Sequence, residues 1–410
     1  MKVVIFEDDS WDRFLPLSLT RHISLLMVGS ASILEHIKRI MKIDEVALSG
    51  REHLAETMEE RTELEYNAEA DQDVLLINGR IKPRSDVIRL AKKEKGFVLR
   101  SRGEVVFAKV SRSQYLEIIS KKEGLNKLSK SLESLETEGN LLFSYPWELV
   151  EENASYIAPV SKNKAPNLPE LTGLKGAESN LIISPRAKIE EFVYFDATNG
   201  PIVIEDGTVI EPFSHLSGPC YIGRRCRIHS AVIRKNTTIC EDCRVGGEVE
   251  SSIIYPYTNK SHFGYVGHSI VGEWVNLGAG SVFSDLKNTY GTVKVNFYDK
   301  RLDTKLLKLG SFVGDMAKIS IGCTIFAGKR LGVSSHVMGQ IGDDVPDFTF
   351  YDGSSSRAVE LDLESVIKTQ RRMMARRGVE MSIRRKRLIE YLHKSSDDER
   401  KRRRVLKGKI

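Results

Sequence analysis

Between about residue 180 and residue 350 an aliphatic residue returns at about every sixth position, often followed by glycine. The clearest run is Val313, Ile319, Ile325, Leu331 and Val337. A second comprises Ile204, Ile210, Leu216, Ile222 and Ile228, and Ile239, Val245, Val271 and Leu277 continue the pattern. A period of six matches neither an amphipathic helix nor a half-buried strand. It fits a coil in which each hexad supplies one short strand and one turn, and three hexads close a triangle. The aliphatic residue then points inward and stacks on its counterparts in the turns above and below. Gly223, Gly272, Gly278 and Gly332 fall where a Cβ would clash in such turns. A β-sandwich would instead show strict alternation and hairpin turns. The expectation is a left-handed parallel β-helix of hexapeptide repeats over 180–352.

The rest of the chain obeys other rules. Lys2–Phe6 and Val74–Asn78 are short, β-branched apolar runs that read as buried strands, and Ile33–Ile40 has helical spacing. Strands alternating with helices predict an α/β domain over 1–157. Residues 158–179 open on a stretch with Pro159, Pro166 and Pro169 and no periodicity, which predicts an extended linker. The formal net charge of +6 is unevenly placed: from Leu361 onward there are 17 Lys/Arg against 7 Asp/Glu. Residues 353–410 therefore read as a basic helical tail. Its apolar residues, including Leu363, Val366, Ile367, Met373 and Met374, recur at helical spacing beside arginines, so packing of 361–393 and a disordered end from Ser395 are expected. No aromatic interleaving or known motif accompanies the arginines, which argues against nucleic acid as a partner. No apolar run approaches a membrane span, and five scattered cysteines suit a reducing, cytoplasmic setting. Cys240 and Cys243 have half-zinc-site spacing but no matching second pair, so small residues on a coil turn are the better reading.

The most specific stretch runs from Ser261-His262-Phe263-Gly264-Tyr265-Val266-Gly267 through Val271 and Gly272-Glu273-Trp274 to Asn276-Leu277-Gly278-Ala279-Gly280. With Gly246–Val249 and Tyr257–His262 it resembles a divergent branch of the bifunctional N-acetylglucosamine-1-phosphate uridyltransferase/glucosamine-1-phosphate N-acetyltransferase family. That family shows G-H-x-x-Y-x-G followed by V-N-I-G-A-G at the same separation. The N-terminal region resembles a sugar-phosphate nucleotidyltransferase in degenerate form. Leu15–Arg21 and Ile33–His36 match, but Asp9-Ser-Trp-Asp-Arg13 stands where a Gly-rich phosphate loop belongs. Ile23 replaces an expected lysine, and Gly79-Arg80 replaces the Gly-Asp pair that usually holds Mg²⁺. A Gly-rich loop brings backbone N–H groups close to phosphates, whereas Asp8, Asp9 and Asp12 repel them unless a metal intervenes.

The resemblance implies acetyl transfer from acetyl-CoA to glucosamine 1-phosphate or a close relative in UDP-N-acetylglucosamine-type synthesis, by a homotrimer with sites between adjacent coils. His262 would be the base that removes the amine proton; its bland alternative is a surface histidine on a turn. Tyr265 and Asn276 would contact the sugar phosphate and orient the amine, or else stack on the coil surface and join an asparagine ladder. Lys260 could bind phosphate or merely be solvated. Gly278, Ala279 and Gly280, and more weakly Ala327 and Gly328, would let the pantetheine arm lie on bare backbone. The family's phosphate-binding lysine is replaced by Glu250. In the N-terminal domain Arg13 and Arg21 could hold a nucleotide or sugar phosphate, or pair with Asp8, Asp9 or Asp12, and Asp8 with Asp9 could bind Mg²⁺. Two alternatives stand beside this reading: a UTP-dependent sugar-1-phosphate nucleotidyltransferase, and a non-catalytic scaffold that senses sugar nucleotides or CoA.

Overall fold

The computed structural model describes residues 1–93, 97–120, 133–158, 168–297 and 300–408. The chain divides into two compact units, one of Met1–Phe14, Thr20–Leu26 and Ala31–Tyr145, the other of Leu15–Leu19, Met27–Ser30 and Pro146–Ile410. Residues 159–167 of the expected linker lie outside the described residues.

The first unit is built on a six-stranded mixed sheet. Lys2–Phe6 and Val74–Asn78 are strands, paired in parallel with Phe6 opposite Asn78, and Ala47–Ser49 flanks the first of them. Beyond Val74–Asn78 the sheet continues with antiparallel Glu104–Val110, then Phe97–Ser101 and Glu133–Thr137. The helix Ile33–Met41 begins at Ser32, whose hydroxyl accepts from the Glu35 N–H, and buries Ile33, Leu34, Ile37 and Met41. The carboxyl ends of two adjacent parallel strands lie in register, which is where open α/β sheets place ligands.

The second unit is a parallel β-solenoid. One eight-stranded parallel sheet climbs through Leu181–Ile183, Ile202–Ile204, Cys220–Ile222, Thr237–Ile239, Ile253–Ile254, Ile270–Val271, Phe312–Val313 and Arg330–Leu331. A second column contains Val209–Ile210, Asn259–Lys260, Asn276–Leu277 and Lys318–Ile319. The third includes His215–Ser217, Gly264–Gly267, Ser281–Phe283 and Thr324–Ile325. The hexad residues sit inside as expected: Ile204, Ile222, Ile239, Val271, Val313 and Leu331 are all buried in one apolar cluster. Burial of one such side chain stabilises by about 1.5–3 kcal/mol, so the stack is the main organiser of the unit. Glycine at the turns is needed because successive turns nearly touch. A Cβ on Gly278 would lie 2.5 Å from the Ile321 nitrogen, and one on Gly332 would lie 2.4 Å from that of Asp347.

Two features interrupt the regular coil. The chain leaves it after Phe283 and forms an antiparallel hairpin of strands Lys294–Phe297 and Lys300–Asp303 before Phe312 resumes the stack. The C-terminal segment then forms helices Leu363–Ala375 and Ile383–Ser395, capped by Asp362 and Ser382. They bury Val366, Ile367, Met374, Leu388, Ile389 and Leu392, and Arg385 reaches the coil residue Glu273 at 3.5 Å. The expected disorder from Ser395 is corrected: Asp397–Arg402 is helical, and Arg400, 2% exposed, pairs with Glu360 at 3.2 Å. An ordered partner for a buried arginine outweighs the compositional bias toward a solvated tail. All five cysteines are free and buried, with the Cys243 thiol 3.1 Å from the Tyr255 carbonyl. Among the described residues no helix is long and apolar enough to cross a membrane.

Candidate functional site

The turn Ser261–Phe263 joins the second column to the third, and it is held from three sides. From inside the coil, Lys260 donates to the carbonyls of Gly246, His262 and Gly264 at 2.6, 3.1 and 3.2 Å. From the next turn, the Gly280 N–H donates to the Phe263 carbonyl at 2.9 Å. At the exit, Gly264 has φ +131°, and a Cβ there would meet the Ser281 carbonyl oxygen at 2.2 Å. His262 rides on this fixed backbone with its side chain exposed, and its imidazole makes no hydrogen bond among the described residues. A histidine held only through its own backbone keeps both ring nitrogens available to a bound substrate.

Lys260 differs from expectation. It is opposite Val245 in the aliphatic column and 3% exposed, so it is turned into the coil and away from any phosphate. Burial pulls its ammonium down to about 8. Three carbonyls replace the water it has lost. Asn276 sits opposite Asn259, whose amide donates to it at 3.0 Å, and Ser261 donates to the Asn259 oxygen at 2.8 Å. The ladder thus links Asn276 to the His262 turn. The backbone of Gly278, Ala279 and Gly280 is committed to stacking: Gly278 abuts Ile321, and the Ala279 carbonyl accepts from Gly322 at 2.8 Å. Ala327 lies half-buried just beyond the strand Thr324–Ile325.

Tyr265 leads to a cluster that the sequence did not announce. Its hydroxyl lies 2.9 Å from Asp285 Oδ2 and 3.2 Å from Glu250 Oε2, and His268 Nδ1 is 2.6 Å from the same Asp285 oxygen. Burial and the two carboxylates push the Tyr265 phenol well above the usual range. Burial alone would raise the Asp285 carboxyl, but hydrogen bonds from His268 and Tyr265 outweigh it and hold it low. Glu250 therefore has a structural partner. The residues missed are His268 and Asp285. They stand at the same corner in successive coil turns, continuing the register that sets Val266 opposite Phe283, and that one-turn offset is shared by every stacked pair, so it does not single them out.

In the first unit Asp8 and Arg80 follow the paired strand ends at Phe6 and Asn78. Arg80 Nε donates to Asp8 Oδ1 at 2.9 Å, its Nη2 lies 3.1 Å from Glu104, and Asn78 donates to Asp8 at 2.8 Å. A fully buried guanidinium thus occupies the charge that a divalent cation would supply, and the residues present do not fit a Mg²⁺ site. The segment Asp9–Phe14 is a 3₁₀ helix in place of a phosphate loop, with Asp9 exposed. Arg51 braces it by stacking 3.9 Å above the Trp11 ring while pairing with Glu7 at 2.9 Å. Arg13 pairs with Glu104 at 3.5 Å, not with the nearby aspartates, and Arg21 is fully buried, out of reach of a solvent-borne phosphate.

Residues 3–159 match the family model for sugar nucleotidyl transferase, and residues 201–233 match that for bacterial transferase hexapeptide repeats. The chain is 28% identical over 220 residues to a bifunctional sugar-1-phosphate nucleotidylyltransferase/acetyltransferase of Sulfurisphaera tokodaii, covering 52% of this chain and 49% of that one. It is 31% identical over 190 residues to the bifunctional protein GlmU of Methanocaldococcus jannaschii, covering 46% and 40%. To its namesake in Methanococcus maripaludis strain S2 it is 34% identical over 160 residues, 38% of each chain. The chain spans about half the length of the first of these relatives and less of the others.

Proposed function

We propose that the solenoid transfers the acetyl group of acetyl-CoA to the amine of an amino-sugar phosphate of the glucosamine 1-phosphate class, in the cytoplasmic synthesis of a UDP-N-acetylglucosamine-type sugar nucleotide. The observation that carries this reading is His262: an exposed imidazole without a partner among the described residues, on a turn fixed by Lys260 and Gly280. In the reaction the amine nitrogen attacks the thioester carbonyl and a C–N bond forms. His262 takes the proton the nitrogen sheds, the C–S bond breaks, and the same proton passes to the departing sulfur, giving an amide and free CoA thiol. Asn276, immobilised by Asn259, is placed to orient the acceptor. Glu250 and Asp285 beside Tyr265 favour binding the acceptor through its hydroxyl or amine groups, with its phosphate directed away from them.

A homotrimer accompanies this reading. Phe213, Phe263 and Ile321 are 72%, 74% and 78% exposed along the corner that carries His262, an apolar ridge that a second copy would cover. A second reading, nucleotidyl transfer by the first unit, is favoured by the match over residues 3–159 and opposed by the Arg80–Asp8 pair. The test is thiol release from acetyl-CoA with and without glucosamine 1-phosphate. Sugar-dependent release supports the transferase; its absence from folded protein returns the balance to the nucleotidyltransferase or scaffold alternatives.

A further inference from the structure

A cavity of about 450 Å³ lies beside the coil, where the strands Lys294–Phe297 and Lys300–Asp303 and the last helix approach Arg330. Its charged lining is Lys300, Arg301, Arg330, Arg402 and Arg403 against Glu399 alone. Two of these cations have partners: Arg330 pairs with Glu399, and Arg403 is 4.0 Å from Asp344. Lys300, Arg301 and Arg402 have no ion pair among the described residues. At the base, Arg330 Nε is buried and lacks a hydrogen-bond partner among the described residues. Leu15 and Phe297 supply an apolar wall, and Asn296 is steadied by Asp344 at 3.1 Å. The site lies on the corner from which the hairpin leaves the coil, whereas His262 occupies the corner between the second and third columns.

Converging like charges raise each other's free energy unless an anion joins them. Arginine forks match phosphate oxygens two at a time, and an apolar wall beside them suits a planar ring. The volume lies within the range of small-molecule sites. We propose that this cavity binds a phosphorylated nucleoside, its phosphates held by Arg301, Arg402 and Arg330 and its ring set against Phe297. Two sources supply that chemistry: the 3′-phospho-ADP head of CoA, or a free nucleotide acting as an effector. The assignment rests on the cavity and stands independently of acetyl transfer.

Calorimetric titration of the full chain with adenosine 3′,5′-bisphosphate tests it, with adenosine as the phosphate-free control. The comparison is an Arg301→Ala/Arg402→Ala variant, whose changes fall on exposed residues, with folding checked by its melting curve. Binding of the bisphosphate at least tenfold weaker in the variant, with adenosine unbound by both, is the expected result. Equal affinities in the two proteins, equal binding of adenosine, or no binding to the unaltered chain would overturn the proposal. If the KM for acetyl-CoA rises in parallel, the acyl donor's head is the source; if it stays constant while bisphosphate binding falls, a free nucleotide is.

Discussion

At the scale of single residues, Lys260 shows how much the solenoid concedes to one turn. Its place in the inward column belongs to an aliphatic side chain, as Val245 opposite it illustrates. A lysine there keeps its charge out of water only because three carbonyls surround its ammonium. Its pKa falls from 10.5 to about 8 on folding, so between those values the unfolded chain binds more protons than the folded one. Stability therefore gains from this residue as pH rises through that window and loses the gain as pH falls through about 8. Urea midpoints at pH 7.5 and pH 10 should show this gain in the unaltered protein and lack it in Lys260→Met; parallel pH dependences would contradict it. A second prediction concerns Glu250. Glu250→Lys removes a carboxylate that would hold the acceptor's hydroxyl or amine groups and should raise the KM for glucosamine 1-phosphate about tenfold, the effect of roughly 1.4 kcal/mol. A lowered or unchanged KM would show that the acceptor does not bind through Glu250. Sequence alone singled out Lys260, Tyr265 and Glu250 by motif. It could not tell which of them faces inward, because lysine in a hexad core position breaks the pattern that makes the core readable.

At the scale of elements, the period of six was legible because its cause is local: each aliphatic residue meets its own counterpart one turn away, so spacing alone reports burial. The two short strands and the first helix of the N-terminal unit were legible for the same reason. The excursion after Phe283 was not, since a hairpin leaving a coil corner has no period to read. The last helix was hidden by its composition, because pairing of Arg400 with Glu360 and of Arg330 with Glu399 is long-range in sequence. The exposed corner ridge belongs to this scale as well. Phe192 and Phe213 stack with ring centroids 5.6 Å apart, and Phe263 and Ile321 continue the apolar edge. If this ridge joins three copies as proposed, the unaltered chain has a trimer's mass in light scattering, and Phe213→Asp combined with Ile321→Asp lowers it to that of a monomer without loss of circular dichroism. An equal mass for the two proteins would contradict that role of the ridge.

For the whole molecule, the two units differ in how well their residues suit the chemistry of their relatives. The solenoid keeps an exposed histidine on a fixed turn. The N-terminal unit sets the parallel strands Lys2–Phe6 and Val74–Asn78 side by side but fills their carboxyl ends with a buried arginine–aspartate pair. Pyrophosphate release from UTP and a sugar 1-phosphate should therefore stay at background with Mg²⁺ present; magnesium-dependent release would show that Asp8 exchanges Arg80 for a metal. The central claim, that His262 is the base of an acetyl transfer, is tested most directly by thiol release from acetyl-CoA with glucosamine 1-phosphate, comparing the unaltered chain with His262→Ala at matched oligomeric mass. The account predicts sugar-dependent release that falls by about 10²–10⁴-fold in the variant while its mass and melting temperature hold. Equal rates in the two proteins would contradict it.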